Sequence, residues 1–135
     1  MIEHIKDGDD LLAIIISSKF SKSGIEFFTP GDFSQQLGYM NRPAGYKIDP
    51  HIHNHIERKV TLTQEVLFIK SGKVKVDFYN NEKTYLFSRV LETGDVILLA
   101  SGGHGFEMME NCEMIEVKQG PYSGDLDKTK FESSR

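Results

Sequence analysis

One cysteine, Cys112, stands among 135 residues, which excludes an internal disulfide and a zinc site built from thiolates. It agrees with a reducing compartment, and its acidic, turn-like neighbourhood offers no basic partner that would activate a thiol. Long apolar runs are missing too: Leu11–Ile16 spans six residues, far short of a membrane span. Sixteen basic against twenty acidic side chains give a net charge of −4. No basic patch interleaved with aromatics stands out, so nucleic acid is not an expected partner. The acidic opening Met1–Asp10 opposes a secretory signal, and a cytoplasmic protein is expected. There is no repeat, no low-complexity stretch, no interdomain linker and no long amphipathic helical pattern.

What is there fits a single globular domain, with 39% hydrophobic and 27% charged residues. The apolar segments are short and strand-like. Leu11–Ser17 is rich in isoleucine, and Phe33–Met40 alternates Phe33, Gln35, Leu37 and Tyr39 on one face. Val66–Ile69 and Lys73–Phe78 flank Ser71–Gly72, with Val74, Val76 and Phe78 alternating against charged neighbours. Asn80–Lys83 has the composition of a hairpin turn, and Tyr85–Leu91, Val96–Leu99, Gly105–Met109 and Met114–Lys118 follow at short spacing. This pattern predicts an all-β sandwich or barrel. His4 is expected in a frayed terminus, and the tail from Pro121 is expected to wrap the surface or fray.

The chemistry-bearing residues form an ordered series. Gly45 is followed after five residues by His51-x-His53, then by Glu65, six residues ahead of Gly72. Gly94–Asp95 leads through an apolar strand to Ser101-Gly102-Gly103-His104-Gly105. On a strand, His51 and His53 share a face about 7 Å apart and can converge on one ion. His55 shares that face, but lies about 13 Å from His51, so a regular strand uses His51 with His53 or His53 with His55. A carboxylate and a third imidazole complete an N3O set with open positions, the pattern of a catalytic rather than a closed structural site. Ser101–Gly103 lacks the helix and lysine of a phosphate loop and reads as a turn delivering His104. Glu107 is a candidate base, though a solvated rim position explains it as well.

In order and spacing these residues resemble the cupin superfamily over about Gly38–Gly120. The gap of eleven residues between His53 and Glu65 is longer than the family's, and strand-like Val60–Thr63 is expected to extend a hairpin arm there. The second motif is one residue short, with Ala100 and Ser101 where the family favours proline and glycine. The resemblance implies an antiparallel jelly-roll β-barrel: N-terminal strands and a dimer arm over 1–32, barrel over 33–120, polar tail over 121–135. It implies His51, His53, Glu65 and His104 as ligands of one divalent transition metal, with iron, manganese, nickel and zinc not distinguished. Tyr39, Arg42 and Lys47 are candidates to meet a substrate beside the ion, or ordinary surface residues.

The segment Met114–Asp125 further resembles the closing part of cupin mannose-phosphate isomerase domains. The implied function is isomerisation or epimerisation of a small sugar or sugar-phosphate. Two alternatives stay open: a metal-independent sugar-nucleotide epimerase or ketoisomerase using a barrel histidine as base, and a non-catalytic binding or accessory cupin. A homodimer is expected through the N-terminal strands, with Leu11–Ile16 as a sticky edge.

Overall fold

The computed structural model describes residues 1–134. Ten strands follow in order: β1 Ile2–Asp7, β2 Asp10–Ile16, β3 Gly24–Phe27, β4 Gly38–Asn41, β5 Glu65–Ser71, β6 Lys73–Tyr79, β7 Tyr85–Glu92, β8 Val96–Leu99, β9 Gly103–Met108 and β10 Glu113–Lys118. A single 3-10 turn, Gly124–Asp127, lies in the tail. All pairings are antiparallel. The strands form a five-stranded sheet, β1-β2-β8-β5-β10, a three-stranded sheet, β7-β6-β9, and a two-stranded ribbon, β3-β4. Among the described residues the two larger sheets keep free edges at β1, β10, β7 and β9 and do not close into a barrel.

The two sheets share one core. Alternate residues of the five-stranded sheet (Ile5, Ala13, Ile15, Leu67, Ile69, Ile97 and Leu99) pack against Val74, Val76, Phe78 and Leu91 of the other. Burial of such side chains is worth roughly 1.5–3 kcal/mol each and dominates the driving force. On the opposite face of the large sheet Ile14, Leu98 and Ala100 are covered by Phe28, Phe33 and Leu37, which flank the ribbon.

β5 and β6 are consecutive but unpaired, because the chain changes sheet at Gly72. That residue has φ +91°, and a Cβ there would lie 2.0 Å from the Asn111 carbonyl oxygen. A second corner is held by Asp95, a buried carboxylate that accepts from the Ser18 N–H at 2.7 Å and the Glu92 N–H at 2.8 Å. This gives the Gly94–Asp95 pair a structural role.

Several expectations need correction. His4 is not frayed: it lies in β1 opposite Ile14, because Gly8 (φ +59°) turns the acidic terminus back onto β2. Leu11–Ile16 is not an edge, since β1 pairs on one side of it and β8 on the other. Phe33–Met40 is strand only from Gly38, because Thr29, Gln36 and the carbonyls of Pro30 and Phe33 tie the preceding residues into a loop. Val60–Thr63 is not strand; residues 42–64 carry no strand at all. Of the two alternatives expected for the tail, it takes the wrapped one: Phe131 stacks edge-on against Tyr79 at 5.0 Å, and the Tyr79 hydroxyl donates to Ser133 at 2.8 Å.

Gly72→Ala is expected to lower the unfolding free energy by at least about 2 kcal/mol in urea titrations, combining left-handed strain with a backbone clash. Gly8→Ala, with the same backbone sign but nothing within 4 Å, is expected to cost about 1–2 kcal/mol from strain alone.

Candidate functional site

Strand alternation and register place the site. Glu65 leads β5 on the core side, in phase with Leu67 and Ile69, and stands opposite Leu99 on β8. His104 on β9 stands opposite Phe78 on β6, so its ring also points toward the core. The two sheets thus aim the residues at each other, and Glu65 Oε1 lies 3.0 Å from His104 Nε2. The carboxylate is 13% exposed and the imidazole 30%, so the pair sits at a mouth rather than on the open surface. Phe106, two residues on, stacks beside His104 with ring centroids 5.5 Å apart.

β10 adds two residues that the sequence reading missed. Its register against β5 sets Lys118 across from Glu65 and Glu116 across from Leu67, both on the core-facing side. Glu116 hydrogen-bonds Glu65, and Lys118 Nζ lies 3.7 Å from the Glu116 carboxylate. The period-two alternation of Met114–Lys118 groups Glu116 with Lys118, but nothing local in sequence reveals which strand they adjoin.

The electrostatics follow from this arrangement. The hydrogen bond from His104 holds the Glu65 carboxyl below its ordinary 4.5, against the opposing effect of burial. Glu116 is pushed above 4.5, first by burial and then by its hydrogen bond and proximity to Glu65. The two carboxyls are thus driven apart in acidity, Glu65 downward and Glu116 upward.

The four candidate metal ligands stand as two pairs. Glu65 and His104 meet at the mouth, while His51 and His53 lie exposed in the strand-free stretch 42–64, with rings 5.3 Å apart. His51 Nδ1 lies 2.9 Å from the Asp49 carbonyl oxygen. His55 is exposed in the same stretch. Among the described residues no three or more His, Cys, Asp or Glu side chains are placed to hold one ion together.

The three candidate substrate contacts sit on the ribbon and in the strand-free stretch 42–64. Tyr39 sits in the ribbon with its ring 4.9 Å from Phe20. Arg42 stacks over Tyr46 at 4.5 Å, across the turn that Gly45 makes with φ +85°. Lys47 is exposed. Glu107 pairs with Lys75 at 3.2 Å, the structural explanation for that residue. A groove of about 1380 Å³ runs between the loop at 31–36, residues 56–63 and the tail. Neither Glu65 nor His104 lines it; Arg58, Lys59, Gln35 and Thr63 do.

Because Glu65 is more acidic folded than unfolded, its contribution to stability is present above pH 4.5 and lost as pH falls through its folded value. Glu65→Gln is therefore expected to melt lower than the parent at pH 7 and to lose less on acidification to pH 3, as followed by circular dichroism. Glu116 has the opposite sign, so Glu116→Gln is expected to gain more relative to the parent at pH 7 than at pH 4. Comparison of the chain with protein-family models, with curated proteins and with solved structures finds no match.

Proposed function

We propose that the chain is a cupin-type jelly-roll protein that moves a proton on a small sugar or sugar-phosphate at the mouth defined by Glu65 and His104. The carrying observation is that Glu65 and His104, far apart in sequence, face each other from two sheets at 3.0 Å beside a second carboxyl. The donor chemistry of His51, His53, Glu65 and His104 suits one divalent transition ion, and iron(II), manganese, nickel and zinc all accept it. Completing the set requires His51 and His53 to come from 42–64, a stretch with no strand pairing to hold them elsewhere. When bound, such an ion supplies positive charge against the negative charge developing on adjacent substrate oxygens. Around it, Lys118 offers a cation to an anionic substrate group and Glu116 a carboxyl able to hold the transferred proton.

A second reading has a specific observation in its favour. Glu65 directly engages His104, and a carboxylate that orients an imidazole is the arrangement of a metal-free general base. In that reading His104 takes the proton and His51 and His53 lie outside the reaction.

Elemental analysis of untagged protein separates the two. Near-stoichiometric metal in the parent, with loss of at least about tenfold in affinity in His51→Ala/His53→Ala, is expected for the metal site. A parent that stays empty after incubation with iron, manganese, nickel and zinc would overturn it. Isomerase or epimerase turnover on sugar phosphates and nucleotide sugars, unaffected by chelator and abolished by His104→Ala, would then establish the metal-free base.

A further inference from the structure

Residues 47–63 carry no strand, and among the described residues no backbone–backbone hydrogen bond ties them. Such a run keeps its N–H and C=O groups available in the way a free sheet edge does. Six consecutive members of it, Arg58–Thr63, line the groove of about 1380 Å³. Alternate side chains of an extended chain point to opposite sides, so a hollow touched by all six follows the backbone itself. The far wall is cross-bonded. Gln64, only 7% exposed, accepts at Oε1 from the Gln35 N–H at 3.1 Å and the Ser34 hydroxyl at 3.3 Å. The Gln35 side-chain amide donates to Gln119 Oε1 at 2.9 Å, and the Gln119 N–H to the Gln64 carbonyl at 3.0 Å. A fixed polar wall facing a backbone with unused hydrogen-bonding capacity has the form of a site to which a peptide adds as a strand.

The groove does not end at the tail. A second hollow of about 590 Å³ shares Gln119, Pro121, Ser123 and Asp127 with it and continues to Lys118, the neighbour of Glu116 at the mouth. The first hollow alone exceeds the roughly 300–1,000 Å³ of a small-molecule pocket, so the occupant is longer than one sugar. Charge along this track runs against that of the chain. Arg58, Lys59, Lys118, Lys128 and Lys130 line it with Asp32, Asp125 and Asp127, five cations against three anions on a chain of net charge −4. Among the described residues Arg58, Lys59, Lys128 and Lys130 form no ion pair, whereas Asp127 already accepts from the Thr63 hydroxyl.

We propose that this track binds an extended acidic peptide, which adds as a strand along residues 56–63 and lays its carboxylates against Arg58, Lys59, Lys128 and Lys130. The unpaired backbone supplies main-chain hydrogen bonds. Ile56, Val60 and Leu62, which are 63, 40 and 56% exposed, meet the peptide's aliphatic side chains. The cations fix the sign of the partner. An acidic polysaccharide would satisfy the same cations, but it brings no ladder of amides to the 56–63 backbone.

Affinity selection of a degenerate library of short peptides on the full chain, followed by fluorescence anisotropy of the enriched sequence, tests the assignment. A consensus of aspartate and glutamate among aliphatic residues is expected. Its affinity is expected to fall at least about tenfold in Arg58→Glu/Lys59→Glu and in Lys128→Glu/Lys130→Glu, with circular dichroism as the check of folding. His104→Ala is expected to bind it unchanged, because the track reaches only the rim of the mouth. Hydrogen exchange on the unmodified protein is expected to show protection gained at 56–63 when the peptide is bound, which charge attraction alone does not produce. No enriched sequence, a consensus without acidic residues, affinity unchanged in both folded variants, or binding without protection at 56–63 would each overturn the proposal. So would tetragalacturonate, an acidic sugar oligomer without amides, bound as tightly as the peptide.

Discussion

The sheet change at Gly72 is the constraint on which the rest depends. Were β5 and β6 joined as an ordinary hairpin they would lie side by side, and Glu65 and His104 would belong to one continuous surface. Instead the chain turns through a left-handed residue packed against the Asn111 backbone and enters a different sheet. The core-facing sides of β5 and β9 then oppose each other, and a carboxylate and an imidazole from distant parts of the chain meet. The Asn111 contact also fixes where β10 begins, so the same corner sets the position of Glu116 and Lys118.

Two ion pairs bridge the sheets, and their surroundings assign them different work. Arg89 forks onto Glu3 at 2.8–3.0 Å, joining the free edges β7 and β1 with both side chains 42% exposed. A pair so exposed contributes roughly 0–1 kcal/mol and serves as a clasp. Glu65 and His104 are more buried and pay more desolvation for their contact, with a second carboxyl crowded beside them. A fold selected for stability alone would place apolar residues there, as it does immediately below with Leu67 and Ile69. The concentration of ionisable groups at one end of an apolar core is therefore better explained by chemistry than by stability.

Much of the strand content was legible because alternation is a local signal. Val74, Val76 and Phe78 announce a half-buried strand, and Val96–Leu99 a fully buried one, within a few residues. An ordered motif singled out Glu65 and His104 as candidates, and the fold sets the two face to face. Partnership between strands was not: Leu11–Ile16 looked like an edge because β1 has only Ile2 and Ile5 to advertise it among polar and charged neighbours. Glu116 and Lys118 escaped for the same reason, since cross-strand register is a property of two segments and is written in neither alone. The stretch 42–64 misled in the opposite direction. Its alternation of histidine with isoleucine has the period of a strand, yet no pairing partner takes it up among the described residues.

β10 shows how tightly the two faces of one strand are coupled. Glu116 and Lys118 point to the mouth while Ile115 and Val117, one residue out of phase, form the bare outer strip. A single-residue slip would exchange them, turning the two charges onto the outer face and moving the apolar pair into the mouth. The irregularity between Glu113 and Met114 in the pairing with β5 is what sets the phase, since Glu113 opposes Ser71 and Met114 opposes Ile69. That bulge lies beside the Gly72 corner, so the backbone contact that switches the chain between sheets also decides which β10 residues face the mouth and which face outward. The ionisable mouth and the apolar outer strip thus rest on one local geometry, and a change to either must preserve it.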